Sequence, residues 1–167
     1  MFDLIPAVES KYHTYADFRT SEEELKAVRE HRGVMGWSMG CGTTWYVFLN
    51  RIAYFSKFGF LSGACGQIEG ERNKEWADES AKYIVNSVRE QGFGRDTVDI
   101  YAITGTLDIA YEGLTLLMGA LLAYPDTFEF YDKSRQNATF LTWPEGEHHT
   151  QWRLQYTINA IHQLFAE

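Results

Sequence analysis

The sequence predicts an α/β fold, in which a mostly parallel sheet carries helices on both of its faces. Short apolar runs typical of buried strands alternate four times with longer runs typical of helices, and glycine or proline follows several of these runs. Such alternation is typical of βαβ units, whose strands are parallel. Ligands bind beyond the carboxyl ends of parallel strands, so functional residues are expected on that rim.

Four strands and six helices are predicted from these patterns. The strands cover residues 33–37, 58–62, 98–104 and 138–143, and the third is expected to end at Gly105. The helices cover residues 4–12, 22–30, 43–50, 75–91, 112–124 and 149–165. Ser21 and Glu24 form a capping-box pattern at the start of the second helix. Apolar residues spaced by four predict the buried side of the last helix, and they are Trp152, Tyr156, Ala160 and Leu164.

Length and charge narrow the class of protein. A chain of 167 residues suffices for one domain with its own core. The net charge of −8 argues against binding to nucleic acid or to an anionic membrane. No apolar run approaches the roughly 18 residues of a membrane span, and the N-terminal segment lacks the pattern of a signal peptide. Cys41 and Cys65 are expected to be buried free thiols, and no cofactor is predicted.

The motif Gly36-Trp37-Ser38-Met39-Gly40 lies between a predicted strand and a predicted helix. Gly-x-Ser-x-Gly in this place is typical of a nucleophile elbow, whose strained turn exposes the serine oxygen. The two glycines are expected to keep side chains out of the bend. The backbone N–H of Met39 is expected to form half of an oxyanion hole. Ser38 is thus a nucleophile or an ordinary turn residue, and the motif alone leaves both open.

A serine nucleophile needs a histidine base and an orienting acid. Asp108 follows the third predicted strand and His148 follows the fourth, so both are expected on the rim that carries Ser38. The alternatives are that Asp108 caps the following helix, that His148 is a surface residue, or that His149 is the base. A metal site is a further alternative, which the ligand spacing disfavours. Its ligands would be Glu145, Glu147 and the two histidines.

Four blocks of the chain together resemble the esterase D-like feruloyl esterase family of α/β-hydrolases, whose modules often accompany xylanases. The blocks are "REHRGVMGWSMGCGTTWYVFLN", "YFSKFGFLSGAC", "TGTLDIAYE" and "FLTWPEGEHHTQWRLQYTINAIHQLF". The resemblance implies Ser38 as nucleophile and Asp108 as acid. A Gly-x-His block ahead of the last helix implies His148, rather than His149, as the base.

The resemblance also implies a function. It predicts a serine carboxylesterase that hydrolyses feruloyl or cinnamoyl esters on plant cell-wall xylan. The alternatives are acetyl-xylan or another small ester, including an iron-siderophore ester. A bacterial, secreted protein is implied as well.

The resemblance covers only the C-terminal part of the family's domain. The opening strands and the loop that completes the oxyanion hole have no counterpart in this chain. Residues 1–167 are therefore expected to form a single, partial α/β-hydrolase domain. The alternative is an inactive fragment, or a subunit that needs the missing half. Strand 33–37 would then have an unpaired edge, which predicts a homodimer or another association through that edge.

Overall fold

Four strands form one parallel sheet in the computed structural model, which describes residues 3–165. The strands are β1 (Gly33–Trp37), β2 (Lys57–Leu61), β3 (Asp99–Leu107) and β4 (Ala138–Glu147). They lie in the order β1-β2-β3-β4, and each neighbouring pair runs parallel. The predicted parallel sheet is confirmed, and the carboxyl ends of all four strands meet at one rim.

Six α-helices occur in the described residues. They are α1 (Leu4–Glu9), α2 (Glu22–Ala27), α3 (Met39–Arg51), α4 (Lys74–Glu90), α5 (Tyr111–Leu121) and α6 (Thr150–Phe165). Helices α3, α4 and α5 pack on one face of the sheet, and α6 packs on the other. The prediction of helices on both faces is therefore confirmed. None of the helices in residues 3–165 is both long and apolar enough to cross a membrane.

Alternate residues of the central strands fill two separate cores, because successive side chains of a strand point to opposite faces. On the face of α3, the ring of Trp45 stacks on Phe60 with the ring centroids 3.6 Å apart. On the face of α6, Tyr101 and Ile103 pack against Tyr156 in a second buried cluster. The spacing of apolar residues by four along α6 thus correctly predicts its buried side.

Strands β3 and β4 run further toward the rim than predicted. The sequence places their ends at residues 104 and 143, whereas the structure continues them to Leu107 and Glu147. Gly105 is not a strand terminator, because it is the point where β4 passes very close to β3. A Cβ atom at Gly105 would lie 2.1 Å from the carbonyl oxygen of Gly146. Glycine is needed there for close backbone approach.

The predicted helices are correct in position but differ at their ends. Helix α3 begins at Met39, four residues earlier than predicted, so it follows Ser38 directly. Both hydrogen bonds of the capping box between Ser21 and Glu24 are present at the start of α2. The helix ends at Ala27 and gives way to a 3₁₀ turn before β1.

Strand β1 is an edge strand, since within the described residues it pairs with β2 alone. All five of its residues are half-buried. The N-terminal helices pack in a small cluster around Ala16, Leu25 and Tyr54. A buried ion pair between Glu9 and Arg32, with 2.7 Å between Oε1 and Nε, ties α1 to the start of β1. Association through the β1 edge stays a prediction.

Candidate active site

Ser38 lies in the sharp turn that joins β1 to α3. Its backbone has φ 56° and ψ −118°, a left-handed conformation that costs a residue with a side chain about 1–3 kcal/mol. The Ser38 hydroxyl forms no capping hydrogen bond to α3 in the described part of the chain. The Ser38 side chain therefore does not stabilise the turn by capping α3, and its hydroxyl can form a hydrogen bond to another group.

The two glycines of the motif differ in what they do. A Cβ atom at Gly36 would lie 2.2 Å from the carbonyl oxygen of Gly40, so only glycine lets α3 start this close to β1. A Cβ atom at Gly40 would meet no atom of residues 3–165 within 4 Å, apart from its chain neighbours and the backbone of its own helix. The expectation that both glycines relieve crowding is therefore correct for Gly36 and wrong for Gly40. The bend is crowded on the strand side only.

The structure brings the three predicted side chains together. The hydroxyl oxygen of Ser38 lies 2.7 Å from Nε2 of His148, and Nδ1 of His148 lies 2.8 Å from Oδ1 of Asp108. A carboxylate oxygen can only accept a hydrogen bond, so Nδ1 must carry the imidazole proton. In the neutral ring Nε2 is then an acceptor for the Ser38 hydroxyl proton. This chain of hydrogen bonds can take a proton from serine oxygen.

An irregularity in β4 sets the position of His148. Gly105 pairs with Trp143, yet the next pair joins Leu107 to Glu147, so β4 has two extra residues in this stretch. Glu145 takes a left-handed φ of 58°, and its N–H donates to Oγ1 of Thr106 across 2.9 Å. A bulge of this kind bends a strand and turns the following side chain. His148 thereby faces the turn that carries Ser38.

Asp108 is anchored by its own backbone before α5 begins. Its N–H donates to the carbonyl of Gly105, and its Oδ1 accepts from the N–H of Ala110. The residue that caps α5 is Ala110, so Asp108 closes a short turn ahead of the helix rather than capping it. The Asp108 side chain is fully buried. The hydrogen bond from the N–H of Ala110 favours the orientation in which Oδ1 of this buried carboxylate faces His148.

Trp37 is a residue of this site that sequence reasoning did not identify. Its indole ring stacks on the imidazole of His148, with the centroids 4.5 Å apart and 23° between the planes. The stack limits rotation of the imidazole. Trp37 occupies a variable position of the Gly-x-Ser-x-Gly motif, and nothing in the local sequence signals a contact with a residue 111 positions later.

The rival residues occupy other positions. Nδ1 of His149 accepts a long hydrogen bond of 3.4 Å from the N–H of Gln151, at the start of α6. Both ring nitrogens of His148 already have hydrogen-bond partners. Among residues 3–165, no group of three or more metal-ligating side chains is close enough to hold a metal ion.

The two cysteines are buried free thiols, as predicted. Cys41 donates from Sγ to the carbonyl of Gly63 across 3.0 Å, one helical turn from Ser38. Burial raises the pKa of the Cys41 thiol far above its usual range, and it also raises the pKa of Cys65. A thiol that keeps its proton is a poor nucleophile. Cys41 is therefore poorly suited to act as an attacking group beside Ser38.

The backbone N–H of Met39 belongs to the first residue of α3, where a helix offers its own N–H groups no acceptor. The N-terminus of a helix also carries partial positive charge. The Met39 side chain is 89% exposed, so this end of the helix opens to solvent beside Ser38. If an ester reacted at Ser38, its carbonyl oxygen, which becomes negative, would find the N–H of Met39 as a hydrogen-bond donor here.

Comparison with known proteins finds relatives over nearly the whole chain. No family model matches it. The chain is 33% identical over 165 residues to endo-1,4-beta-xylanase Y of Acetivibrio thermocellus. This match covers 99% of the chain and 15% of the xylanase.

Two solved structures are similar to the chain, each with a TM-score of 0.87. One is a serine-to-alanine mutant of the feruloyl esterase module from Clostridium thermocellum, complexed with sinapinate, at 33% identity. The other is a structure called FAE, at 34% identity. Each match covers 99% of this chain and 56% of the solved one, so the chain spans about half the length of these relatives. The predicted resemblance to feruloyl esterases and the α/β-hydrolase-type fold are confirmed.

Proposed function

We propose that this chain, which is similar over 99% of its length to a feruloyl esterase module, is a serine carboxylesterase that cleaves feruloyl or cinnamoyl esters on plant cell-wall xylan. Ser38 is the nucleophile, His148 the general base and Asp108 the orienting acid. The observation that carries the proposal is the continuous chain of hydrogen bonds from Ser38 through His148 to Asp108, with links of 2.7 and 2.8 Å.

The first half of the reaction forms an acyl-enzyme. Ser38 Oγ attacks the ester carbonyl carbon while Nε2 of His148 removes the hydroxyl proton. The imidazolium that results is stabilised by Asp108, whose Oδ1 accepts from Nδ1. As the tetrahedral intermediate collapses, His148 returns the proton to the departing sugar oxygen. The ester bond to the alcohol breaks, and the acyl group remains on Ser38.

The second half repeats this chemistry with water. His148 removes a proton from a water molecule, whose oxygen attacks the acyl carbon. Collapse of the second intermediate releases the carboxylic acid and returns the proton to Ser38 Oγ. One ester and one water thus give one acid and one alcohol, and no cofactor is required. In both halves the N–H of Met39 donates to the carbonyl oxygen as it becomes negative.

The identity of the acyl group is argued from the relatives. The module from Clostridium thermocellum is named a feruloyl esterase and was crystallised with sinapinate, and the sequence relative is a xylanase. These names support an aromatic acyl group on xylan over the alternative acetyl group. The two are separated by comparing hydrolysis of methyl ferulate with release of acetate from acetylated xylan, and a preference for acetylated xylan would reverse the choice of substrate.

A fluorophosphonate probe tests the catalytic residues, because it labels only an activated serine. We expect labelling of the 167-residue chain at Ser38 and loss of labelling in Ser38→Ala. His148→Ala should lower kcat for methyl ferulate by about 10⁴- to 10⁶-fold, the range seen when one member of such a triad is removed.

His149→Ala is the matched control, since it removes the neighbouring imidazole from the same loop. It should keep both labelling and turnover close to those of the unmodified chain. Labelling that persists in Ser38→Ala, or equal losses in the two histidine variants, would contradict the assignment.

A further inference from the structure

Tyr156 lies beneath the site, on the face of α6 that packs against the sheet. Its side chain is 0% exposed and belongs to the buried cluster that contains Ile103 and Leu61. Most of this cluster is apolar, so a hydroxyl group within it needs an explanation. A buried polar group without a hydrogen bond typically costs about 1–3 kcal/mol.

The Tyr156 hydroxyl lies beside the place where Gly105 of β3 and Gly146 of β4 come very close together. A Cβ atom at Gly146 would lie 2.5 Å from the Tyr156 hydroxyl oxygen and 2.9 Å from Cα of Gly105. Gly105 lies three residues before Asp108 and accepts a hydrogen bond from its N–H. Gly146 lies two residues before His148. The hydroxyl therefore sits behind the two backbone segments that carry the acid and the base.

The buried polar atoms that have no hydrogen-bond partner within residues 3–165 include the Tyr156 hydroxyl, a donor, and Oδ2 of Asp108, an acceptor. The other carboxylate oxygen of Asp108 already accepts from His148 and from Ala110. Burial, with a smaller contribution from the negative charge of Asp108, raises the pKa of Tyr156 to about 12. The phenol thus keeps its proton and stays a donor in the field of this carboxylate.

We propose that Tyr156 is a positioning residue for Asp108. Its hydroxyl group hydrogen-bonds to Oδ2 of the carboxylate through one bridging water, and this contact keeps Oδ1 on Nδ1 of His148. Without a polar group on the Oδ2 side, the carboxylate can rotate and exchange its two oxygens, which loosens the orientation of the imidazole. This inference rests on the proposed function, in which Asp108 orients His148.

Tyr101 provides a matched control in the same cluster. It is 1% exposed, its hydroxyl also has no hydrogen-bond partner within residues 3–165, and burial raises its pKa to about 12 as well. The cause of its raised pKa is burial alone, whereas Asp108 contributes at Tyr156. Each tyrosine can be changed to phenylalanine by removing one oxygen atom. A merely structural effect of losing a buried hydroxyl should be similar in the two variants.

The test compares Tyr156→Phe with Tyr101→Phe in the full chain, using two readouts. The first is steady-state hydrolysis of methyl ferulate. We expect Tyr156→Phe to lower kcat about tenfold, as for loss of a polar contact to a charged group, with KM changed less than about twofold. Tyr101→Phe should leave both constants unchanged. The second readout is the far-downfield proton NMR signal of the His148 Nδ1–H, which should shift or broaden in Tyr156→Phe alone.

The NMR readout separates failure of this inference from failure of the proposed function, because the signal needs no turnover. If the unmodified chain neither hydrolyses esters nor labels at Ser38, the proposed function fails, and the signal still decides the role of Tyr156. An unchanged signal in Tyr156→Phe overturns the inference, as does an equal change in Tyr101→Phe. A chain that gives no such signal has no ordered bond between His148 and Asp108, and the inference falls with it.

Discussion

Replacing Gly36 by alanine should unfold the turn that holds Ser38, whereas the same change at Gly40 should not. The alanine methyl at position 36 would lie 2.2 Å from the carbonyl oxygen and 2.3 Å from the carbonyl carbon of Gly40. Both are backbone atoms of the first turn of α3, and neither can turn aside as a side chain would. Relief of the contact therefore requires α3 to move away from β1 by about 1 Å.

The size of the effect follows from that displacement. Overpacking a well-filled site typically costs about 1–3 kcal/mol, and the upper end is expected where backbone must move. A shift of about 1 Å would also break the 2.7 Å contact between Ser38 and His148. Misplacement on that scale can lower kcat about a hundredfold. Gly40→Ala places a methyl in open space and replaces a helical glycine, so it should raise stability by up to about 1 kcal/mol.

Urea unfolding followed by tryptophan fluorescence measures both free energies of unfolding, and hydrolysis of methyl ferulate measures the effect on the site. Each variant adds one methyl group to the unmodified chain, and the two substituted positions are four residues apart. A Gly36→Ala chain with a free energy of unfolding within about 1 kcal/mol of the unmodified chain, or a larger loss in Gly40→Ala, would refute the reasoning from close backbone approach.

Three further outcomes are expected. Asp108→Asn should lower kcat about ten-thousandfold with little change in the urea midpoint, because the amide favours the wrong tautomer of the imidazole; retained activity would exclude Asp108 as the acid. Burial raises the pKa of Tyr101 and Tyr156 to about 12, above the value near 10 in the unfolded chain, so the folded state holds these protons more tightly. The contribution of these two tyrosines to the free energy of unfolding is complete below pH 10 and is lost as the pH rises toward 12. Between pH 10 and 12, the urea midpoint should therefore fall less steeply in Tyr101→Phe than in the unmodified chain. The open edge of β1 should make the chain dimerise or aggregate, and a stable monomer in sedimentation at high micromolar concentration would argue against that association.

Local sequence determined the order and type of the elements. The apolar run at Gly33–Trp37 and the capping box at Ser21 act through neighbours a few residues away, so their signals are complete within a short window. Parallel strands share one carboxyl-end rim, and for that reason the sequence order of Ser38, Asp108 and His148 already placed all three on one edge of the sheet.

Only the tertiary structure decided which groups meet on that rim. The sequence favoured His148 over His149 only through a family resemblance. The two extra residues in β4 that turn His148 toward Ser38 are visible only in the pairing of β4 with β3. The stack of Trp37 on His148 joins residues far apart in the chain.

Glycines show the same division between local and long-range causes. Gly36 and Gly40 look equivalent in the sequence, yet a methyl group is excluded at one and tolerated at the other. Gly105 is predicted to end a strand, but it lies inside β3, where the carbonyl oxygen of Gly146 is 2.1 Å from the position its Cβ would take. A glycine in a sequence shows only that a side chain is absent. The packing of distant segments decides whether another backbone comes close enough to require that absence.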